Sequence, residues 1–525
     1  MRIQFYFISV CSLLVVGVLG LLWTPFLALL LIILPLIGIG LCDILQKKQT
    51  IRRNFPIIGH GRYLMEMIRP EINQYFVESN SDGRPFSRDK RSLIYQRAKG
   101  QLDTQPFGTQ ADVYAVGYEW VNHSLAPVSP DLSTSRIKVG GKSCKKPYLA
   151  SIFNISAMSY GALSKNAVLA LNAGAKLGGF LHNTGEGGLS PYHRKPGGDL
   201  TWQIGTGYFG CRHKDGTFNV KDFAEKASLD QVKMIEIKLS QGAKPGHGGI
   251  LPAKKVTPEI ASIRGVDMGQ DVISPPAHSA FSTPIGLLEF VAQLREASGG
   301  KPVGFKLCLG KRKEFLAICK AMLKTGILPD FITVDGGEGG TGAAPLEFTN
   351  SVGAPLEEGL MFVHNSLVGV GLREEIRVIA SGKIVTGFHI MTKMALGADL
   401  CNSARGMMFA LGCIQALRCN SNNCPTGVAT QDPALVEGLV VSDKAVRVKN
   451  FHHETVKSFF EVLGATGLTK PSEIRRWHIV RRTGPSIIQN YSQIFPAVDN
   501  RALVDNNPPA HIAAPWAAAQ AETFT

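Results

Sequence analysis

The sequence predicts an α/β protein built on a TIM (β/α)8 barrel with an N-terminal transmembrane helical hairpin. Three observations lead there. From about Pro147 onward, short apolar runs alternate with helical segments, the pattern of βα units and a parallel sheet. Eight such runs are present, the number that closes a TIM barrel; a doubly wound sheet is the alternative that pattern alone leaves open. Before them, Ile3 to Cys42 contains no charged residue, whereas one membrane-crossing helix needs about 20 apolar residues.

The N-terminal run is long enough for two helices, and Trp23-Thr24-Pro25 near its middle supplies the turn. It is too long for a secretory signal, and no small-x-small cleavage site closes it. Arg2 precedes the run, and Lys47, Lys48, Arg52 and Arg53 follow it. Positive residues stay on the cytoplasmic side, so both ends of the hairpin are expected inside. The expected location is the inner (plasma) membrane with the catalytic domain facing the cytoplasm. The domain expectation is a hairpin over 1–46, a membrane-proximal linker or cover over 47–125, the barrel over 126–470, and a basic segment with a loose tail over 471–525.

Composition narrows the function. The chain has 525 residues, 45% hydrophobic and 18% charged, enough for a large core. Its formal net charge is +15, from 56 Lys+Arg against 41 Asp+Glu. The basic residues are dispersed and form no nucleic-acid motif. An anionic membrane face or an acidic electron carrier suits that charge better. Ten cysteines in a chain this long do not form a disulfide scaffold.

In the linker, residues 62–68 and 70–76 read as two short helices, and 80–85 as a loop. The eight candidate strands are 149–155, 179–182, 201–205, 234–239, 303–307, 331–334, 377–380 and 399–403. Functional groups of a TIM barrel gather where strands end, and most of the distinctive sequence falls there. Ser156-Ala157-Met158-Ser159-Tyr160-Gly161-Ala162-Leu163-Ser164 follows the first strand: small residues that admit a flat cofactor, or a tight turn in which Ser164 caps a helix. Asn183-Thr184-Gly185-Glu186-Gly187-Gly188 follows the second; Glu186 either places an amine or pairs with a neighbouring lysine. Tyr208 lies after the third.

The fourth strand leads into Lys238-Leu239-Ser240-Gln241-Gly242-Ala243-Lys244-Pro245-Gly246-His247-Gly248-Gly249. Alternation puts Lys238 on the face of Glu236. Lys238, Gln241 and Lys244 can furnish fixed positive charge and hydrogen bonds for an acidic substrate; the plain alternative is a paired core lysine and a solvated loop lysine. His278, further on, reads as a loop histidine. Asp335-Gly336-Gly337-Glu338-Gly339-Gly340-Thr341-Gly342 only superficially evokes a dinucleotide fingerprint, lacking its βαβ context. The turns containing Gly382 and Lys383, and Ser403, Ala404 and Arg405, end the last two strands, where these barrels often hold phosphate.

Cys413, Cys419 and Cys424, with a proline after the last, then stand within twelve residues. They read as ligands of one soft metal centre or as small buried apolar residues; a closed zinc site wants a fourth ligand that is not nearby. After them, 451–463 reads as an amphipathic helix. Arg475, Arg476, Arg481 and Arg482 read as a solvated or membrane-facing surface.

Taken together, Cys-x5-Cys-x4-Cys-Pro-Thr-Gly-Val-Ala-Thr-Gln-Asp-Pro, Asn-Thr-Gly-Glu-Gly-Gly, Gln-Gly-Ala-Lys-Pro-Gly and Ile-Ser-Pro-Pro resemble the FMN-binding domain of glutamate synthase over about 147–468. The resemblance implies FMN contacted by Met158, Ser159, Lys238, Asp335, Gly336, Gly337, Gly382, Lys383, Ser403 and Ala404. It implies Glu186, Lys238, Gln241 and Lys244 as catalytic residues, and Cys413, Cys419 and Cys424 as ligands of a three-iron, four-sulfur (3Fe-4S) cluster. The implied reaction is reductive amination of 2-oxoglutarate, through 2-iminoglutarate, to L-glutamate. Departures from the family pattern are Tyr208 for an arginine, His247 for a glutamate, one proline and one histidine missing around His278, and an extra Glu-Gly pair after Gly337. The sequence shows neither a glutaminase nor a nicotinamide-binding domain, so ammonia and electrons are expected from free ammonia, separate glutaminase and electron-donor subunits, or a ferredoxin-like carrier. Alternatives are an FMN-dependent oxidoreductase or glutamate N-methyltransferase-like enzyme on another amine or acid, and a non-catalytic membrane electron-transfer subunit.

Overall fold

Eight parallel strands close into a barrel in the computed structural model, which describes residues 1–525. In chain order they are β1 (Phe153–Ile155), β2 (His182–Asn183), β3 (Leu200–Ile204), β4 (Val232–Lys238), β5 (Val303–Cys308), β6 (Phe331–Asp335), β7 (Arg377–Ser381) and β8 (Leu400–Ser403). The sheet runs β5-β6-β7-β8-β1-β2-β3-β4 and back to β5. All eight expected strands are present, with ends shifted by a few residues.

The first expected strand is divided. Tyr148–Ser151 leaves the barrel to pair antiparallel with Arg136–Val139, and only Phe153–Ile155 joins the parallel sheet. The physical reason lies at the barrel floor. Val139 and Ala150 of this ribbon pack with Leu181, Met234, Phe331, Ile379 and Leu400 near the strand starts, in one buried cluster. Burying such apolar surface is worth about 25 cal/mol per Å². The floor is thus sealed, and the opposite, C-terminal mouth is where polar groups collect.

Helix Lys165–Gly178 begins at Ser164, whose side chain accepts from the Ala167 amide. Helix Val441–Ala465 crosses it closely enough that a Cβ on Gly174 would meet Val448 at 2.7 Å. That helix is longer than the expected 451–463 segment.

Two further expectations are corrected. The residues after Asn500 are not a loose tail: Ala510–Ala518 is helical, Ile512 is fully buried, and Lys320 Nζ sits 4.7 Å over the Trp516 ring while donating to Ala519 O. Alanine-rich composition hid a helix that packs by one isoleucine and one tryptophan. Nor are Arg476 and Arg481 solvated surface. Arg481 bridges Glu119 and Glu357, and Arg476 donates to Asn365 Oδ1 at 2.7 Å and to Phe495 O at 3.0 Å.

The chain divides into two compact units, Met1–Arg88 and Asp89–Thr525. The first contains helices Arg2–Leu22 and Leu30–Leu45, joined by a 3-10 turn at Thr24–Leu29 with Pro25 at its start. Both are long and apolar enough to cross a membrane, by length and composition. At the base of the hairpin, buried Asp43 accepts from Arg52 Nε at 2.9 Å and from the Ile57 amide at 3.0 Å, and pairs with His60. The two short helices expected after it are one helix, Gly59–Ile72, that continues through Pro70 into a π-turn at Asn73–Val77. A proline removes one backbone donor, and here the chain stays helical across it.

Candidate active site

The barrel mouth is built around a buried polar network. Glu236, on β4, receives Asn183 Nδ2 at 2.8 Å, Gln203 Nε2 at 2.7 Å and Thr333 Oγ1 at 2.6 Å. Each donor comes from a different strand, so one carboxylate stitches β2, β3, β4 and β6 together. Lys306, on β5, pairs with Asp335 at 3.0 Å. Burial pulls the Lys306 ammonium down, but Asp335, Glu236 and Glu186 outweigh it and hold the group above the usual lysine range. Buried charges persist when paired and hydrogen-bonded in this way.

Above that network, Lys238 ends β4 and its Nζ donates to Glu186 Oε1 at 2.7 Å. Of the two sequence readings of Glu186, this geometry shows the lysine pair. Burial raises the Glu186 carboxyl, but Lys238 first, then Arg264 and Lys244, bring it below the usual range. Lys244 is buried and donates to Ala343 O at 2.6 Å. Burial, and then Lys238, lower it to about 8. Gln241 is half-buried in the same segment. Arg264, at the end of helix Pro258–Arg264, donates to Tyr160 O at 3.1 Å and lies over the Phe209 ring at 5.0 Å. Its buried Nε has no hydrogen-bond partner.

His278 is corrected from a loop residue with no role. It is buried, with Nδ1 3.0 Å from Tyr208 Oη and Nε2 2.9 Å from Lys238 O. Tyr208 is fully buried at φ 47°. His247 is half-buried, and its Nδ1 lies 2.9 Å from Gly248 O.

Of the residues singled out for a flavin, Lys238 ends β4, and the others stand at the ends of β1, β6, β7 and β8. Ser156 and Ser381 hydroxyls meet at 3.0 Å, and the Ser156 amide donates to Ser403 O at 3.0 Å. Gly336 N donates to Ser381 O at 3.2 Å, and Asp335 accepts the Gly242 amide at 3.1 Å. Gly242 has no room for a side chain, since a Cβ there would lie 1.7 Å from Gly336 O. Ser159 Oγ accepts the Gly187 amide at 3.1 Å beside Met158. Gly382, with φ 150°, and Lys383, with φ 49°, form the turn after β7. Ser403 Oγ donates to Ile384 O at 2.7 Å, fixing the β8 end against that turn, and Ala404 precedes helix Arg405–Ala410. Arg405 Nη2 donates to Glu338 O at 2.6 Å, tying the extra Glu-Gly pair to the β8 end. Two cations, backbone amides and hydroxyls at the ends of β7 and β8 suit a phosphate.

The sulfur loop is bolted to the turn after β1. The Ser164 amide donates to Val428 O at 2.9 Å, and Gln431 Nε2 donates to Gly161 O at 3.0 Å and Leu163 O at 2.9 Å. Buried Lys255 bridges the same two segments, donating to Ala162 O at 3.2 Å and Ala429 O at 2.8 Å. Tyr95 Oη donates to Cys413 O at 2.6 Å, which gives part of the linker region a supporting role.

Cys413, Cys419 and Cys424 are neighbours. Burial pushes Cys413 up to about 12, and the other two sulfurs add to the rise. Cys419 is raised by burial and by Cys424. Cys424 is buried too, yet the Thr426 hydroxyl and the Ala429, Thr426 and Val428 amides bring its thiol below the usual range. The three sulfurs do not converge into a metal-holding arrangement, and no other set of three His, Cys, Asp or Glu side chains does.

Sequence reasoning missed Lys306, Arg264 and Lys255. For Lys306 the signal was present: a lysine inside the otherwise apolar Val-Gly-Phe-Lys-Leu-Cys strand is rarely buried without a partner.

Comparison with known proteins places this site in a family. The conserved region in glutamate synthase matches residues 123–469. The glutamate synthase large subunit-like protein YerD of Bacillus subtilis is 38% identical over 491 residues, covering 86% of this chain and 93% of that protein. The archaeal glutamate synthase (NADPH) of Methanocaldococcus jannaschii is 38% identical over 323 residues, 61% of this chain and 60% of that protein. The archaeal-type glutamate synthase (NADPH) of Thermotoga neapolitana is 34% identical over 321 residues, again 61% of this chain and 60% of that protein. This chain thus spans less than two thirds of the archaeal-type enzymes it matches. The chain belongs to the glutamate synthase family and is an oxidoreductase of that kind.

Proposed function

We propose that the barrel mouth holds FMN and that the chain catalyses the reductive amination of 2-oxoglutarate to L-glutamate. The observation that carries this reading is the charge count at the mouth. Glu186 is matched by Lys238 and Asp335 by Lys306. Lys244 and Arg264 donate only to backbone carbonyls. Glu236 is held by neutral donors alone, so these cations exceed the carboxylates by one, and the two cations with no directly bonded carboxylate suit an acidic substrate.

The departures from the family pattern support the same charge class. Tyr208 removes one positive charge and His247 one negative charge, so the net charge at the two positions is unchanged. A related dicarboxylic 2-oxo acid fits the same account.

The reaction balances as 2-oxoglutarate plus ammonia giving 2-iminoglutarate and water, then two electrons and two protons giving glutamate. FMN, when bound, supplies the hydride to C2 of the imine. Lys383, Arg405, the Gly382 amide and Ser403 would hold its phosphate. Met158, Ser159, Asp335, Gly336, Gly337 and Ala404 line the same strand ends. Lys238 and Lys306 provide fixed positive charge in the barrel interior. Lys244, Arg264 and Gln241 bind and orient the acid. Glu186, ionised and held by Lys238, accepts hydrogen bonds from the nitrogen that becomes the amine.

Cys413, Cys419 and Cys424 are our candidates for a 3Fe-4S cluster. Three sulfurs without a fourth side-chain ligand, amides aimed at Cys424 and a buried lysine alongside suit a sulfide-bridged cluster better than a closed zinc site. The apolar hairpin over 1–46 is proposed as an anchor in the inner membrane, with 47–125 as the connection, 126–470 as the cytoplasmic barrel and 471–525 closing its side. Ammonia and electrons come from separate partners, a glutaminase subunit and a ferredoxin-like carrier.

Anaerobic purification followed by flavin and iron analysis, then a glutamate-formation assay with 2-oxoglutarate, ammonia and a chemical reductant, tests this reading. Bound FMN with glutamate formation supports it. Cofactor reduction without turnover of any 2-oxo acid overturns it in favour of an electron-transfer subunit.

A further inference from the structure

Tyr208 occupies a position where the family pattern carries arginine, and its hydroxyl is used up inside the protein. The oxygen accepts the Ala280 amide at 3.0 Å and lies 3.0 Å from His278 Nδ1. The Tyr208 hydroxyl still has its proton to donate, and which ring nitrogen carries the imidazole proton is fixed on the other side of the ring. On the other side of the ring, Nε2 lies 2.9 Å from Lys238 O. A carbonyl only accepts, so Nε2 carries the proton. The donors therefore run one way, from Tyr208 through His278 to the backbone of Lys238. Phe281 stacks on the imidazole at 4.9 Å, and Phe290 packs against both rings. Burial lowers His278 to about 4, and the ionic groups acting on it, Glu186 and Lys238, oppose each other. A neutral ring is the form this chain requires.

We propose that Tyr208 and His278 are positioning residues that fix the end of β4, so that Lys238 presents its ammonium to Glu186 and to the substrate. The tyrosine is an uncharged brace here, in place of an arginine. The brace joins the turn after β3 and the 272–281 segment to the strand that carries Lys238. Specificity is then set by Lys244 and Arg264 rather than by the residue at 208. The activity arm of the test rests on the proposed glutamate synthesis; the spectroscopic arm does not.

The test uses the full chain labelled with 15N-histidine, with the His278 signals identified by their loss in His278→Gln. In the wild type, His278 is expected as the Nε2–H tautomer, unchanged from neutral to mildly acidic pH. In Tyr208→Phe that signature is lost or begins to titrate. Phe281→Leu, which alters the stacking but no hydrogen bond, keeps the signature and serves as the packing control. Glutamate formation in Tyr208→Phe is expected to fall in kcat/KM by roughly tenfold to a hundredfold, mainly in kcat, as displaced catalytic groups do, with a much smaller loss in Phe281→Leu. A wild-type His278 that carries its proton on Nδ1, or titrates like a solvent histidine, overturns the proposal. Equal losses in Tyr208→Phe and Phe281→Leu also overturn it, because packing alone would then account for them. A wild type with the expected tautomer and no glutamate formation overturns the assigned reaction, while the brace itself stands.

Discussion

Lys238 Nζ donates to Glu186 Oε1 at 2.7 Å, joining the end of the fourth barrel strand to the glycine-rich loop after the second. Removing one partner of a buried pair leaves the other charge uncompensated, at a cost of about 3–5 kcal/mol. Lys238→Met is therefore expected to lower the thermal midpoint markedly, whereas the pair-neutral double variant Lys238→Met with Glu186→Gln recovers part of the loss. Neither variant forms glutamate at more than a small fraction of the wild-type rate. Thermal denaturation and initial-rate assays check both statements.

Glu186 also fixes a pH dependence. Its folded pKa lies below the usual glutamate range: burial raises it, but Lys238, Arg264 and Lys244 lower it by more. A depressed carboxylate contributes stability that is present above the unfolded pKa and is lost as pH falls through the folded one. Chemical denaturation of the wild type should thus show stability falling below about pH 4.5, and Glu186→Gln should flatten that acid limb while leaving the neutral-pH slope unchanged.

Lys255 clamps the sulfur loop to the turn after the first strand through Ala429 O and Ala162 O. Lys255→Met leaves the buried Ala429 carbonyl short of a donor, at about 1–3 kcal/mol, and frees the partly buried Ala162 carbonyl. Hydrogen exchange should accelerate across 412–431 and 158–164 together and hardly change at the barrel floor. Exchange confined to one of the two segments would contradict the clamp.

Each of Cys413→Ser, Cys419→Ser and Cys424→Ser is expected to lower bound iron and acid-labile sulfide to a small fraction of wild type while leaving flavin content nearly intact. Cys211→Ser, at a buried thiol away from the sulfur loop, should leave iron and sulfide unchanged. Colorimetric iron and sulfide analysis on anaerobically purified protein distinguishes these outcomes.

Ile512 is fully buried in the C-terminal helix. Ile512→Ala should cost about 2–5 kcal/mol, as large-to-small core substitutions do, and shift the denaturant midpoint without altering the flavin spectrum. A neutral result would return the tail to the loose state its composition suggested.

The barrel was legible because its strands are short apolar runs between helical segments, a pattern that survives without any packing information. That Glu186, Lys238, Lys244 and the glycine-rich loops stand at strand ends was legible because the apolar runs stop there. Lys255 and Arg264 were not. Each reaches the mouth from an element between strands, and nothing in Ala-Lys-Lys-Val or Ser-Ile-Arg-Gly marks a side chain that turns inward. His278 was misread for the same reason: its partners, Tyr208 and Lys238, lie 70 and 40 residues away. The division of the first strand was hidden because a strand in an antiparallel floor ribbon and one in a parallel barrel share the same apolar residues. The tail was misjudged because alanine and proline content says little about where one isoleucine goes.

The most direct test of the whole account is a single-turnover experiment on the anaerobic, chemically reduced protein. Mixed with 2-oxoglutarate and ammonia together, its flavin absorbance should return to the oxidised form as one glutamate appears per flavin. Neither 2-oxoglutarate nor ammonia alone should do so at a comparable rate. Reoxidation that ignores both substrates, or a protein that carries no flavin, would contradict the account.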